Sequence, residues 1–219
     1  MSHENVQPQD SSPDIYLDSA SFIDYDDKMV HDFAERESAG AENDLDAILR
    51  IYYAVRDKIH YDPFHVGPDP RYFRASDCLR EQRGFCIPKA ALMAACARAL
   101  GVPARVGYAD VKNHLTTPKL HELVGGNIYT WHSYTDVYLE GKWVKATPAF
   151  NLSLCEKFGV HPLDFNGRDD SLFQEFNTKG MRHMEYVRYR GVYADVPYDT
   201  IVSEFEHNHP RWLHNRANA

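Results

Sequence analysis

Two residues of this chain stand where their side chains could carry out nucleophilic chemistry. Cys86 lies in Gly84-Phe85-Cys86-Ile87-Pro88-Lys89. Proline is tolerated in the first turn of a helix, so Pro88 marks a helix start. A thiol at that start meets the positive end of the helix dipole and backbone N–H groups that lack intrahelical partners. Both favour thiolate, the reactive form, and Lys89 would add to the effect if its ammonium turned toward the sulfur. The same N–H groups can hold the oxyanion formed when a thiolate attacks a carbonyl. Gly84 reads as leaving the approach to the sulfur open. His132, in Tyr129-Thr130-Trp131-His132-Ser133-Tyr134-Thr135-Asp136-Val137-Tyr138, offers the imidazole that usually serves as base to a cysteine. Period two places His132, Tyr134, Asp136 and Tyr138 on one strand face.

Each residue also has a plainer use. A free cysteine is most often a small buried residue, and a histidine is more often structural than catalytic. Cys96, mid-helix among alanines, is expected in the core, and Cys78 and Cys155 have no comparable setting. Four cysteines without Cys-x-x-Cys spacing predict neither a disulfide scaffold nor structural zinc. His207, His209 and His214 match no strong metal template and read as a polar solvated tail, so no metal or cofactor is expected.

A helix-borne thiol and a strand-borne imidazole meet only if that helix packs on that sheet. From Cys86 to Leu100 the sequence is apolar on nearly every face, with Lys89 and Arg98 as its charges and Gly101 at its stop, which marks a central core helix. Upstream, Leu45, Ile48, Tyr52, Val55 and Ile59 recur at helical spacing after a capping Asn43 or Asp44. Arg50, Arg56 and Asp57 fall largely on the other side of that helix. A shorter helix is expected around residues 27–36, and another from Ala75-Ser76-Asp77, which supplies N-cap chemistry, to about Gln82. Strands are expected at 104–110, 130–139, 142–147 and 184–189, with Glu140-Gly141 as a tight turn. Helices early and antiparallel strands late predict an α+β fold. Residues 1–14 read as a disordered arm and 15–219 as one domain.

The three blocks Gly84-Phe85-Cys86 with its helix and Leu100-Gly101-Val102-Pro103-Ala104-Arg105-Val106, then Trp131 to Tyr138, then Gly141-Lys142-Trp143-Val144, resemble the transglutaminase-like superfamily. Its bacterial members are often described as cysteine proteases. The resemblance covers about residues 48–151. It implies a papain-like fold in which a cysteine-bearing core helix packs on an antiparallel sheet, with Cys86 as nucleophile and His132 as base. Relatives usually place an aspartate before a proline shortly after the Gly-x-Trp turn; here Thr147 stands there, before Pro148. Threonine can accept a hydrogen bond from the ring but cannot offset imidazolium charge. Thr147 is the third site residue by register, with Asn151 and Asp136 as alternatives.

The expected function is hydrolysis of an amide or peptide bond through an acyl-thioester, on a protein or peptide substrate. The alternatives are transamidation, or a catalytically weakened binding module of the same fold. A net charge of −8 with scattered basic residues argues against nucleic acid. No apolar run is long enough to cross a membrane, and Met1 to Asp14 lacks a signal-peptide pattern, so a cytoplasmic location is expected. Gln82 as an oxyanion donor, His114 and His121 on a cleft-lining loop, and Tyr108, Trp131 and Tyr134 as a substrate wall are further expectations.

Overall fold

The computed structural model describes residues 12–215. Most of the expected arm lies outside that range; its last residues, capped by Ser12, open a single 3-10 turn over Pro13–Tyr16 that buries Tyr16. Helix α1 (Lys28–Glu37) is capped by the Asp27 side chain. Helix α2 (Asp44–Lys58) is capped by Asn43, whose side chain accepts from the Asp46 N–H. One assignment on α2 is overturned. Arg56 is buried, because its guanidinium stacks over Tyr53 and donates to the carbonyl of Leu163 at 2.7 Å while pairing with Asp57. Tertiary partners outweigh the helical-face pattern there.

Strand β1 (His60–Tyr61) pairs in parallel with β2 (Arg83–Gly84), a two-residue sheet on either side of helix α3 (Ala75–Glu81). Ala75-Ser76-Asp77 does not cap α3 as expected. Arg74 holds the cap position without a side-chain bond, and Ser76 and Asp77 lie inside the first turn. Helix α4 (Cys86–Ala99) is buried from Cys86 through Arg98 and is followed by Gly101 at φ +77°. It packs on α1, α2 and α3 and, on its other side, on strands β3 (Ala104–Asn113) and β4 (Ile128–Leu139).

The main sheet is antiparallel in the order β5-β4-β3-β6, with β5 at Lys142–Ala146 and β6 at Met184–Tyr193. Glu140 and Gly141, both at positive φ, make the tight β4–β5 turn that the sequence predicts. Helices α5 (Pro118–Val124), α6 (Leu152–Phe158), α7 (Tyr198–Asn208) and α8 (Pro210–Leu213) complete the fold. No helix among the described residues is long and apolar enough to cross a membrane. The fold is α+β, with a cysteine-bearing core helix against an antiparallel sheet.

Two expectations about aromatics are refined. Tyr134 pairs across the sheet with Gly107, where an added Cβ would lie 2.2–2.5 Å from its ring. Tyr108 is fully buried beside Trp131, with ring centroids 5.3 Å apart. Both pack within the protein, and only Trp131 of the three lines a cavity. Gly107→Ala should therefore cost about 1–3 kcal/mol by overpacking, read as a lower urea midpoint. Adding Tyr134→Leu should recover part of that loss.

Candidate functional site

Cys86 is the first residue of α4, and the thiol rests against backbone N–H groups of Cys86, Ile87 and Ser133. The first two are free of intrahelical partners because the ladder begins with Lys89 N–H donating to Phe85 O. These donors act in the direction the sequence predicts, but burial outweighs them. The thiol is pushed up to about 11 rather than down, with desolvation as the largest cause.

Lys89 does not turn toward the sulfur. Its fully buried amino group, pushed down to about 7 by desolvation, donates to the carbonyls of Arg56 at 3.0 Å and Ile59 at 2.6 Å, closing the end of α2. A helix C-terminus, rich in unpaired carbonyls, is where a buried cation is best held. Gly84 likewise serves packing. A Cβ there would lie 2.9 Å from both Cys78 Sγ and Pro88 Cγ, so glycine lets α3 and α4 approach. Gln82 is exposed at φ +52° and does not line the cavity that holds Cys86.

His132 lines the same cavity as Cys86. The ring is buried, which pushes it down to about 4, and Nε2 has no hydrogen-bond partner. At neutral pH the cavity wall therefore holds a neutral thiol and a neutral imidazole. His132 also lines a second, smaller cavity of about 10 Å³ with Thr147 and Gln174, and Thr147 Oγ1 there is equally unpartnered. Thr147 thus shares that small cavity with the ring, with no hydrogen bond between them, and neither alternative lines it. Asn151 spends its side chain on Tyr61 N–H (3.2 Å) and Ser153 Oγ (2.7 Å). Asp136 lies four residues along β4, about 13 Å at strand rise, and pairs with Arg105 at 2.8 Å.

What aims His132 is a feature that local pattern does not announce. Ala109 pairs with His132 and Val111 with Tyr129, so Thr130 and Trp131 together oppose Asp110. Trp131 sits at φ +60°, a conformation costly for a bulky residue by about 1–3 kcal/mol. Its N–H donates to Asp110 Oδ1 at 3.1 Å. Arg190 grips Asp110 with two bonds of 2.7 and 2.9 Å, pairs with Glu204 at 2.7 Å, and lies 4.9 Å over the Trp131 ring. Arg190 is itself passed over in the β3–β6 register, so two bulges converge on one carboxylate.

The remaining wall of the cavity, about 250 Å³ in volume, comes from distant segments. Leu115, Thr116 and Thr117 belong to the expected loop and do line the cavity, Leu120 follows on α5, and His114 and His121 lie outside the lining. His209, expected in a solvated tail, is buried. Its Nδ1–H donates to Val124 O at 2.8 Å, and Nε2 accepts from Thr130 Oγ1 at 2.9 Å, tying α5 to β4. His183, unmarked by any motif, also lines the cavity; burial pushes it down to about 4.

Residues 31–148 match the family model of the transglutaminase-like superfamily, more than half of the 219-residue chain. The chain belongs to the transglutaminase-like superfamily. Among solved structures, this superfamily member is similar to a putative cysteine protease from Cytophaga hutchinsonii, at 17% identity and a TM-score of 0.48. The match covers 84% of this chain and 55% of that one. It is also similar to a putative protease from Parabacteroides distasonis ATCC 8503, at 17% identity and a TM-score of 0.38, covering 67% and 31%. The chain thus spans about half, or less, of the length of those two proteins. No curated protein matches it in sequence.

Two outcomes follow from this geometry. Asp110→Asn should lower stability by about 3–5 kcal/mol, because it leaves Arg190 buried without its main partner, and chemical denaturation measures this. Thr147→Asp should raise the His132 pKa from about 4, since a carboxylate beside the ring favours imidazolium. NMR titration of the ring would show it, and Thr147→Asn should leave the value low.

Proposed function

We propose that this chain is a cysteine-dependent hydrolase of amide or peptide bonds, with Cys86 as nucleophile, His132 as general base and Thr147 as the residue that orients the ring. The observation that carries the proposal is the placing of a helix-start thiol and an imidazole whose Nε2 has no hydrogen-bond partner in the wall of one cavity.

The neutral resting pair sets the order of events. As sulfur attacks the carbonyl carbon, its proton passes to His132, so thiolate forms only in step with attack. The carbonyl oxygen takes the negative charge and is held by backbone N–H groups at the start of α4. His132, now imidazolium, gives its proton to the departing amine, which leaves an acyl-thioester on Cys86. Water then adds to the thioester, giving its proton to His132. Collapse expels the thiolate, which takes that proton back and releases the acid. A protein or peptide is the substrate class this chemistry suits.

A second reading is favoured by Thr147, which cannot balance the charge on the imidazolium. On that reading the chain binds its ligand but turns it over slowly or not at all.

Intact mass after incubation with para-nitrophenyl butyrate separates the two. An enzyme should show one butyryl adduct on Cys86, absent from Cys86→Ala and formed roughly a hundredfold more slowly in His132→Ala. Equal acylation of the intact protein and His132→Ala would overturn the proposed roles, and no adduct at all would leave the binding module.

A further inference from the structure

The cavity beside Cys86 has a volume of about 250 Å³, and its wall is mostly apolar. Tyr61, Phe64, Tyr129, Trp131, Phe150 and Trp212 all contribute to the wall. Trp212 Nε1 is bonded to Pro63 O at 2.5 Å and Tyr129 OH to Thr116 Oγ1, so these aromatic polar atoms are already engaged. The wall carries two formally charged side chains, Asp62 and Lys157. Asp62 accepts from Phe64 N–H at 2.9 Å and faces Arg83 at 3.7 Å, and Lys157 is exposed. Two of the lining imidazoles, His132 and His183, are held neutral by burial. A charged group entering this space would lose its hydration with little in return. An aromatic or long aliphatic group would lose only unfavourable contact with water.

The opening continues the pattern. Phe158, at the end of α6, lines the cavity while remaining 41% exposed. An exposed aromatic at the rim of an apolar pocket is placed to meet an apolar ligand on entry.

We infer that the cavity is the acyl-side specificity pocket, and that the preferred substrates are amides or peptides whose acyl portion carries an uncharged aromatic or long aliphatic group. This inference rests on the hydrolase reading, since it is Cys86 in the wall that makes the occupant the acyl side. About 250 Å³ is room for one such group. A small acyl group leaves most of the wall uncovered, and one ending in a charge must be desolvated.

The pocket and the chemistry can be tested apart. Trp131 and Trp212 line the cavity, whereas Trp143 packs on Tyr16 and Tyr138, so intrinsic fluorescence reports occupancy without turnover. In Cys86→Ser, phenylpropanamide should give a saturable change in the millimolar range or tighter, as expected for roughly a dozen non-hydrogen atoms. Acetamide should give none. Phe158→Glu, at an exposed position and so without risk to folding, should weaken phenylpropanamide binding about tenfold by placing a charge at the rim. No saturable change with phenylpropanamide, or an equal one with acetamide, would overturn the pocket whatever the outcome for catalysis. In the intact protein, para-nitroanilides should be cleaved with kcat/KM at least roughly tenfold higher for phenylpropanoyl than for acetyl, carboxypentanoyl or aminohexanoyl. A preference for acetyl or for either charged chain would overturn the assignment. Binding without cleavage of any anilide would instead count against the hydrolase reading while leaving the pocket in place.

Discussion

Helix α4 has no wet side, and the rest of the protein is arranged to keep it dry. From Cys86 to Arg98 every residue is buried, and the run of alanines lets three helices and two strands approach closely. Such a helix must still dispose of its two charges. Lys89 reaches the carbonyls at the end of α2. Arg98 donates to Ala104 O, Asp18 O and Ala194 O at 2.9, 2.6 and 2.5 Å. Arg98 therefore ties together three separate backbone segments while Lys89 closes the end of α2, and hydrogen bonds to a charged group are worth about 1.5–3 kcal/mol apiece. Burial of α4 thus determines not only the core but also where neighbouring chain segments must lie.

The same burial governs the chemistry. A thiol at the helix start is offered unpaired N–H groups that favour thiolate, yet the surroundings that make α4 a core helix favour the uncharged form. Desolvation prevails for Cys86, and for His132 it acts alone. The two effects leave the proton on sulfur and the imidazole free to receive it. A carboxylate in place of Thr147 would pull against this balance by favouring imidazolium. Threonine does not, so the neutral pair and the missing carboxylate are two aspects of one electrostatic setting.

Much of this was legible in the sequence because it is local. The core helix is written in its composition, its start in Pro88 and its stop in Gly101. The strands of the sheet are written in alternation, and the tight turn in Glu140-Gly141. The superfamily was legible from the three blocks in order. What escaped depends on partners far along the chain. Arg56 reads as surface until Leu163 supplies a carbonyl, and Lys89 reads as a neighbour of the sulfur until α2 presents its end. His209 reads as tail until Thr130 and Val124 close around it. Residues 149–183, poor in regular structure, give no periodic signal, yet Phe150, Leu154, Phe158, Val160 and His183 lie in the cavity wall.

The bulge in β4 shows why alternation alone mislocates such a site. A regular strand sends successive side chains to opposite faces, so at most every second residue can serve one cavity. Here Tyr129, Thr130, Trp131 and His132 all contribute to the wall. The extra residue makes that possible by breaking the period where the cavity begins. Such a break carries a cost, since Trp131 is held at positive φ and its N–H has left the ladder. Asp110 supplies the missing acceptor, and Arg190 holds Asp110 in place from a third strand. A carboxylate beneath the bulge would itself be costly to bury without that guanidinium, and Arg190 would be costly without Asp110 and Glu204. The irregularity, its acceptor and the counter-charge therefore stand or fall together, and the direction in which His132 points depends on a residue of β6.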